Sequence, residues 1–488
     1  MEAKERTAGI LGRVESMVSD FVATLAKADP NQLDCLELEK TVMNTVCELG
    51  LRMMKEVFLR ADEQAPEIVI HGERWGNRTV TKGTYWTKYG SFPLERSGYQ
   101  QSGRGHVAFA VDLRLGLVEG RYTPGLARVM AHTLAQMPPK EGQAFLHELG
   151  LCQVSQSTLH RIPQDMAAVY ERNRVVIEAV VRGESRIPVG THTVQVGMDG
   201  VMVPMEGEET KPRGRKTDDP QPPRHEQHHG VGPMISPADS DGKAGVAYHE
   251  ASVGTLAFFD AEGHHLATVY GARMPEYRKE TLAEWLEDEL KVVLVQCHTV
   301  QVALASDGAH THWEHLEGMA QRLPAGTDCR MLLDFCHGAT YLFNAAKLLE
   351  PDEGKAMAMA EGWRSNLRHR LDGPQVVLRA LRHHCDKCTS ESVREKLQTI
   401  IEYFADHKRQ GRLDYKAGAN DAFPIGTGPT EAGAKTVANV RMKRAGARYT
   451  PHGGQTILTF RTAILSDRFD IVMRELLNQY NAPVQEAA

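Results

Sequence analysis

Between residues 193 and 342 the chain changes its hydrophobic period in a fixed succession, and that succession limits the folds open to it. TVQVGMDGVMV reads as a strand, ASVGTLAFFD and HHLATVY as two more around a turn at residues 260–263. PEYRKETLAEWLEDELKVVLV reads as an amphipathic helix, and VQVALASDGA as a buried strand ending in an acid. HTHWEHLEGMAQRL is helical, and CRMLLDFCHGATYL is a strand running into a helix. Three strands, helix, strand, helix, strand, helix predict an α/β fold: a mixed sheet flanked by helices, its first three strands in meander and two more added through crossovers.

Three acids interrupt or end apolar strands in this region: Asp199 in GMDG, Asp307 in ASDGA and Asp334 in LLDFCH. A carboxylate there is poorly placed for packing, and open α/β sheets gather functional groups at the carboxyl ends of strands. For any one of them the plain alternative is a turn-capping Asp. A fourth acid, Glu431 in PIGTGPTEAGAK, opens a stretch without another acid up to Ser466. That stretch collects Lys435, Arg441, Lys443, Arg444, Arg448 and Arg461. Clustered carboxylates remain ionised together only beside a cation, and hard oxygen ligands suit Mg²⁺ or Mn²⁺. Two such ions activate a water or sugar hydroxyl and stabilise the leaving oxygen of a phosphodiester. Lys and Arg beyond Glu431, with Arg412 before it, would then hold a polyanionic substrate.

The 488 residues suggest two to four domains, and 41% hydrophobic with 25% charged residues is ordinary for a soluble globular chain. No apolar run is long enough to span a membrane, and the start, MEAKERTAGI, does not read as a signal peptide. Eight scattered cysteines fit a reducing cytoplasm better than a disulfide framework. A net charge of −6 does not advertise a nucleic-acid binder, but binding follows local basic patches.

The organisation expected along the chain begins with a helical region, 1–65, and a small strand-rich region, 66–112. A helical stretch, 113–185, holds a helix pair resembling a helix-turn-helix. There Ser155 is the N-cap, and Gln156, Ser157, His160 and Arg161 lie on the second helix. A merely structural helix pair is the alternative. Residues 190–337 form the first part of a core, with a flexible excursion at 206–243. A basic all-helical insertion, 338–420, precedes the second part, 421–470, and a tail, 471–488. His225, His228 and His229 in the excursion read as a solvated loop, and the lone C-x-x-C at Cys385 and Cys388 as ordinary cysteines. Trp313 is either a core residue or a platform for a flipped base.

GMDGVMVPM, YHEASVGTLAFFDAEG with ARMPEYRKETL, ASDGAHTHWEHL, LLDFCHGATYL and GRLDYKAGANDAFPIGTGPTEAGAKTVANVRMKRAGARY occur in an order that resembles the DDE transposases of bacterial insertion sequences. The likeness is to the Kra-type family, related at fold level to Mutator-like transposases, and covers most of residues 190–465. It implies a ribonuclease-H-like mixed sheet with an all-α insertion before the last catalytic Glu, and an α-rich N-terminal DNA-binding region. It implies Asp199, Asp307 and Glu431 as catalytic acids and ligands of two Mg²⁺ or Mn²⁺ ions. Asp334 and His337 match a further acid–histidine motif near the site, and Asp334 stands as an alternative second ligand to Asp307. The implied partners are double-stranded DNA, as terminal inverted repeats and target, and a dimer or larger synaptic assembly, with no membrane. The family's paired zinc-ribbon cysteines are missing from 66–112, so no structural zinc is expected there. The alternatives are a catalytically silent DNA-binding derivative and a metal-dependent nuclease on the same sheet.

Overall fold

The computed structural model describes residues 2–27, 34–101, 105–151, 153–206, 247–420 and 422–487. The chain divides into two compact units, Met1–Ile177 with Asp470–Ala488, and Glu178–Phe469. It is a mixed α/β protein with two five-stranded sheets among the described residues. The excursion expected at 206–243, with its three histidines, lies outside the described residues except for Glu206.

In the first unit, helices α1 (Glu2–Lys27) and α2 (Cys35–Ala61) precede strands β1 (Ile68–Ile70), β2 (Glu73–Thr87), β3 (Gly90–Gln100) and β4 (Ala108–Phe109). Asp34 starts α2 by accepting the Leu36 amide at 3.0 Å. The stretch expected to form a tail, 471–488, is structured instead: Phe469–Asn478 is helical and the end of the chain joins this sheet. A strand at Val484–Glu486 pairs antiparallel with β1. Ala482 and Val484 are buried with Ile68, Ile70 and Tyr99, so apolar burial, which a tail lacks, fixes the segment. Then follow α3 (Ala110–Arg114), α4 (Pro124–Gln136), α5 (Pro139–Glu148) and α6 (Gln156–Arg172); α7 (Arg174–Glu184) begins in this unit and ends in the next. Ser155 caps α6, accepting the Thr158 amide at 3.1 Å. Two side chains expected on the reading face are engaged within the unit: Gln156 donates to Gln143 at 3.1 Å, and Arg161 bonds Glu119.

The second unit is built on strands β5 (Thr193–Met205), β6 (Ala247–Phe259), β7 (His265–Arg273), β8 (Gln301–Ser306) and β9 (Cys329–Leu333), in the order β7-β6-β5-β8-β9. β6 runs antiparallel to both β5 and β7, whereas β8 and β9 run parallel to β5. The meander and both crossovers are therefore as the period changes predict. Helix α8 (Glu280–Gln296) joins β7 to β8, and α9 (His310–Arg322) joins β8 to β9. Val194, Val196 and Met198 of β5 bury with Leu282, Leu286 and Trp313 of these helices.

A helical module follows: α10 (Phe335–Leu349), α11 (Glu353–His369), α12 (Gly373–Lys387), α13 (Glu391–Arg409) and α14 (Tyr415–Asn420). It has its own core, with Leu342, Trp363, Leu381 and Phe404 among its buried members. The chain then returns to the sheet through α15 (Gly428–Gly433), a π-helical turn at Ala434–Asn439, α16 (Val440–Met442) and α17 (Pro451–Leu465). Val201 and Val203 of β5 bury with Val437 and Leu458 from this returning segment. Alternation along β5 thus assigns even positions to α8 and α9, and odd positions, Asp199 among them, to the face covered by the Glu431 segment.

Candidate active site

Asp199 stands two residues beyond the last pairing of β5 with β8, Gly197 opposite Ala305, and pairs only with Val253 of β6. It is interior to a strand rather than at its end, but the departure of β8 opens one side of it. Its Oδ1 accepts the Gly200 amide at 2.7 Å. Burial pushes its carboxyl above the usual carboxylate range, while the Gly200 amide pulls the other way. The charges of Asp307 and Glu431 add to the upward push. Acids from a strand, a strand end and a helix therefore share one electrostatic neighbourhood.

Asp307 follows β8 directly. Its carboxylate accepts the Ser306 hydroxyl and the Ala309 amide, each at 3.1 Å, and His312 Nδ1 is 3.6 Å away. Burial opposes its ionisation, but His312, the Ala309 amide and Ser306 outweigh it and hold the group well below the usual range. Gly308 makes the turn: its φ of +109° is closed to most side chains, and an added Cβ would lie 2.7 Å from the Tyr403 hydroxyl.

Glu431 lies in the first turn of α15, where the helix dipole favours a negative charge. Its side chain is exposed and accepts Lys435 Nζ at 2.7 Å. Close approach to the sheet seats this helix. An added Cβ at Gly197 would lie 2.1 Å from Thr430 Oγ1, and Thr430 shares a 2.7 Å buried hydrogen bond with Thr255 of β6. Only glycine at position 197 lets α15 lie this near β5.

Asp334 is spent on the fold. Its Oδ1 accepts the His337 amide at 2.5 Å as N-cap of α10. Its Oδ2 accepts the Thr427 amide at 2.5 Å and the Thr427 hydroxyl at 2.8 Å. The clamp is extended by the Phe335 amide donating to Ile425 O at 3.1 Å and by Gln195 donating to Gly426 O at 2.9 Å. Asp334 thus fixes the loop that delivers Glu431, and with both oxygens engaged it is a poor alternative to Asp307 as a ligand. The His337 ring is exposed and meets Tyr341 edge-on at 5.6 Å.

Of the seven cations expected at DNA, Lys435, Lys443, Arg444 and Arg448 are exposed. The other three are internal, which corrects the sequence reading. Arg412 lies 3.8 Å over the buried Trp313 ring and bonds Glu317. Arg441 is buried within 3.3 Å of the Tyr449 hydroxyl, and Arg461 donates to Thr436 O at 2.7 Å. Counting cations along a sequence cannot separate these two groups, because a guanidinium buries readily when carbonyls and carboxylates meet its fork. Trp313 is accordingly a core residue.

Sequence reasoning missed Lys279, His312 and Glu250. PEYRKETL reads as the start of an amphipathic helix, but α8 begins only at Glu280. Arg278 and Lys279 have φ of 52° and 59°. Two successive non-glycine residues in the left-handed region cost about 1–3 kcal/mol each. The break lets Glu276 accept the Leu282 amide at 3.0 Å. α9 grips the strained pair: His315 Nε2 donates to Arg278 O at 2.5 Å, and Arg278 meets Glu314 at 3.1 Å. Lys279 Nζ then reaches Glu250 Oε1 at 2.8 Å and His312 Nε2 at 2.7 Å.

Among the described residues, three metal-type ligand atoms close to within 4.8 Å only at Asp260, Glu262 and His264, in the β6–β7 turn. Asp260 there accepts the Glu262 and His264 amides at 3.0 and 2.8 Å, which is turn chemistry. Cys385 and Cys388 are unpaired thiols at the end of α12. No described helix is long and apolar enough to cross a membrane. Compared with protein-family models and with curated proteins, the chain matches none.

Proposed function

We infer that the chain is a cytoplasmic DDE-type DNA transposase of an insertion sequence, with a ribonuclease-H-like catalytic unit interrupted by the α10–α14 module. The observation that carries this reading is the shared neighbourhood of Asp199, Asp307 and Glu431, in which Asp199 feels both other charges. The strand order β7-β6-β5-β8-β9 with β6 alone reversed supports it, being a mixed sheet of the kind the resemblance implies. The all-helical module before the Glu431 segment supports it too.

The donor types suit the ions that the reading requires, although the three carboxylates do not all close to within 4.8 Å of one another. Three hard carboxylates, one of them raised by burial and by its like-charged neighbours, gain most from Mg²⁺ or Mn²⁺. Asp199, Asp307 and Glu431 would hold two such ions, which when bound supply activation of the attacking hydroxyl and charge neutralisation at phosphorus. Asp334 and Thr427 keep the Glu431 loop in register with β5. Lys443, Arg444 and Arg448 would hold phosphates beyond the site. A groove of about 810 Å³ in the module, lined by Arg379, Arg382, His383, Lys408 and Arg409 with the single acid Asp386, would take more of the duplex backbone.

Water would attack the phosphodiester at the element end in line, breaking the bond to the 3′ oxygen, which leaves with a proton as a 3′-hydroxyl. That hydroxyl would attack target DNA, lose its proton and expel the target's own 3′ oxygen, with no protein–DNA bond. Terminal inverted repeats and target DNA are the partners, and pairing two ends calls for at least a dimer. The test is a cleavage and joining assay on the element's own end duplex with Mg²⁺. Asp199→Ala, Asp307→Ala and Glu431→Ala should abolish both steps and leave binding intact. Wild-type protein that binds ends without cutting, or cuts without joining, overturns the transposase reading.

A further inference from the structure

Lys279 and His312 have no part in the chemistry inferred above, yet they form a continuous chain of polar contacts to one of its acids. His312 is buried, only 1% exposed, on the first turn of α9. Its Nδ1 lies 3.3 Å from Ser306 Oγ and 3.6 Å from Asp307 Oδ1, and its Nε2 lies 2.7 Å from Lys279 Nζ. Ser306 Oγ in turn lies 3.1 Å from the same Asp307 oxygen. An ammonium group has donors only, and Lys279 Nζ also meets Glu250 Oε1 at 2.8 Å. Nε2 must therefore accept, which leaves the ring proton on Nδ1, directed at Ser306 and Asp307. The left-handed backbone at Arg278 and Lys279 is what aims Lys279 into this place, and the fold sustains that strain with the contacts from α9.

We propose that Lys279 and His312 are a positioning pair for Asp307: Lys279 fixes which imidazole nitrogen carries the proton, and His312 holds the Asp307 carboxylate in the orientation that receives a divalent cation. The arrangement is the outer shell of a metal site, where a partner sets the geometry of a ligand it touches. It rests on the reading of Asp307 as a metal ligand. The pair supports Asp307 through α9 and the β7–α8 connection, elements separate from the Asp334 clamp that seats Glu431.

The test is the affinity of the full chain for Mn²⁺, measured directly by calorimetry and by loss of the free-ion paramagnetic resonance signal. An Asn side chain can stand in for the Nδ1 donor, and a Gln side chain for Nε2. Lys279→Met and His312→Gln should each weaken Mn²⁺ binding about 10-fold or more. His312→Asn should stay within about 3-fold of wild type, because its amide donates to Asp307 without a tautomer to choose. Adding Lys279→Met to His312→Asn should then change little more. Equal losses in His312→Asn and His312→Gln, or a full Lys279→Met loss in the His312→Asn background, overturn the pair. If the His312 variants do not fold, Lys279→Arg against Lys279→Met decides the matter. Arginine also donates only and should keep the affinity, so equal losses overturn the proposal. Asp307→Asn gives the separate control: wild-type Mn²⁺ binding that ignores this substitution removes the metal reading itself and this inference with it.

Discussion

β8 and β9 lie side by side, run parallel, and are each followed at once by an aspartate, yet the two carboxylates have opposite fates. Asp307 after β8 keeps a side chain 41% exposed, and its charge is felt at Asp199. Asp334 after β9 is buried and gives one oxygen to the start of its own helix and the other to Thr427 of the returning loop. The difference lies in what comes next in space. Beyond β8 the chain turns through Gly308 into α9, leaving Asp307 one open side. Beyond β9 the returning loop at residues 424–428 closes over Asp334. One sequence pattern thus yields a half-exposed acid and a structural clamp, and only the long-range return of the chain decides between them.

The strongest way to break this comparison is to exchange stability for activity at the two positions. Asp334→Ala removes an N-cap and leaves the Thr427 amide and hydroxyl unpaired. It should cost about 3 kcal/mol of unfolding free energy. Asp307→Ala should stay within about 1 kcal/mol of wild type while strand cleavage falls to background. Urea unfolding and cleavage of the two proteins side by side check both; similar stability losses would show the assignments to be wrong.

A smaller effect is expected where α15 meets the sheet. Gly197→Ala should cost about 1–3 kcal/mol, since its Cβ must displace Thr430. Combining it with Thr430→Ala should restore part of that loss, as neighbours that share one clash are not additive. Full additivity in a double-mutant cycle on thermal unfolding would show that the contact is not what seats Glu431.

The smallest effect concerns a half-buried acid held by a cation. In the first unit, Asp112 bonds Arg96 and takes the Tyr85 hydroxyl at 3.1 Å. Burial pushes its carboxyl up to about 6, although Arg96 and Tyr85 pull it down. The folded value is above the unfolded value of about 3.9. The folded state therefore holds the proton longer, and stability should be greatest below about pH 4 and decline through pH 6. Melting curves of wild type and Asp112→Asn between pH 4 and 7 read this directly: the substitution should remove that part of the pH dependence, and unchanged curves would refute it.

Much of the second unit was legible in the sequence because its signals are local. Alternation and apolar runs set β5 to β9, their order of appearance set the meander and the crossovers, and Ser155 marked a helix start. The three acids stood out because a carboxylate interrupting an apolar strand has no packing reason to be there. Lys279 and His312 gave no such signal: in a helical period a lysine reads as a solvated face, and a histidine near Trp313 as part of a helix.

What the sequence by itself determined is the set of elements, their types and the acids worth suspecting, since these follow from periodicity and from the cost of burying charge. The tertiary structure decided which acid stays half-exposed and which is a clamp, and which arginines face solvent and which lie inside. It also turned the expected tail into a strand of the first sheet, and bent the backbone at Arg278 and Lys279 to reach His312. Each of these depends on segments from tens to hundreds of residues apart meeting in space, and a local pattern carries no record of which partner will arrive.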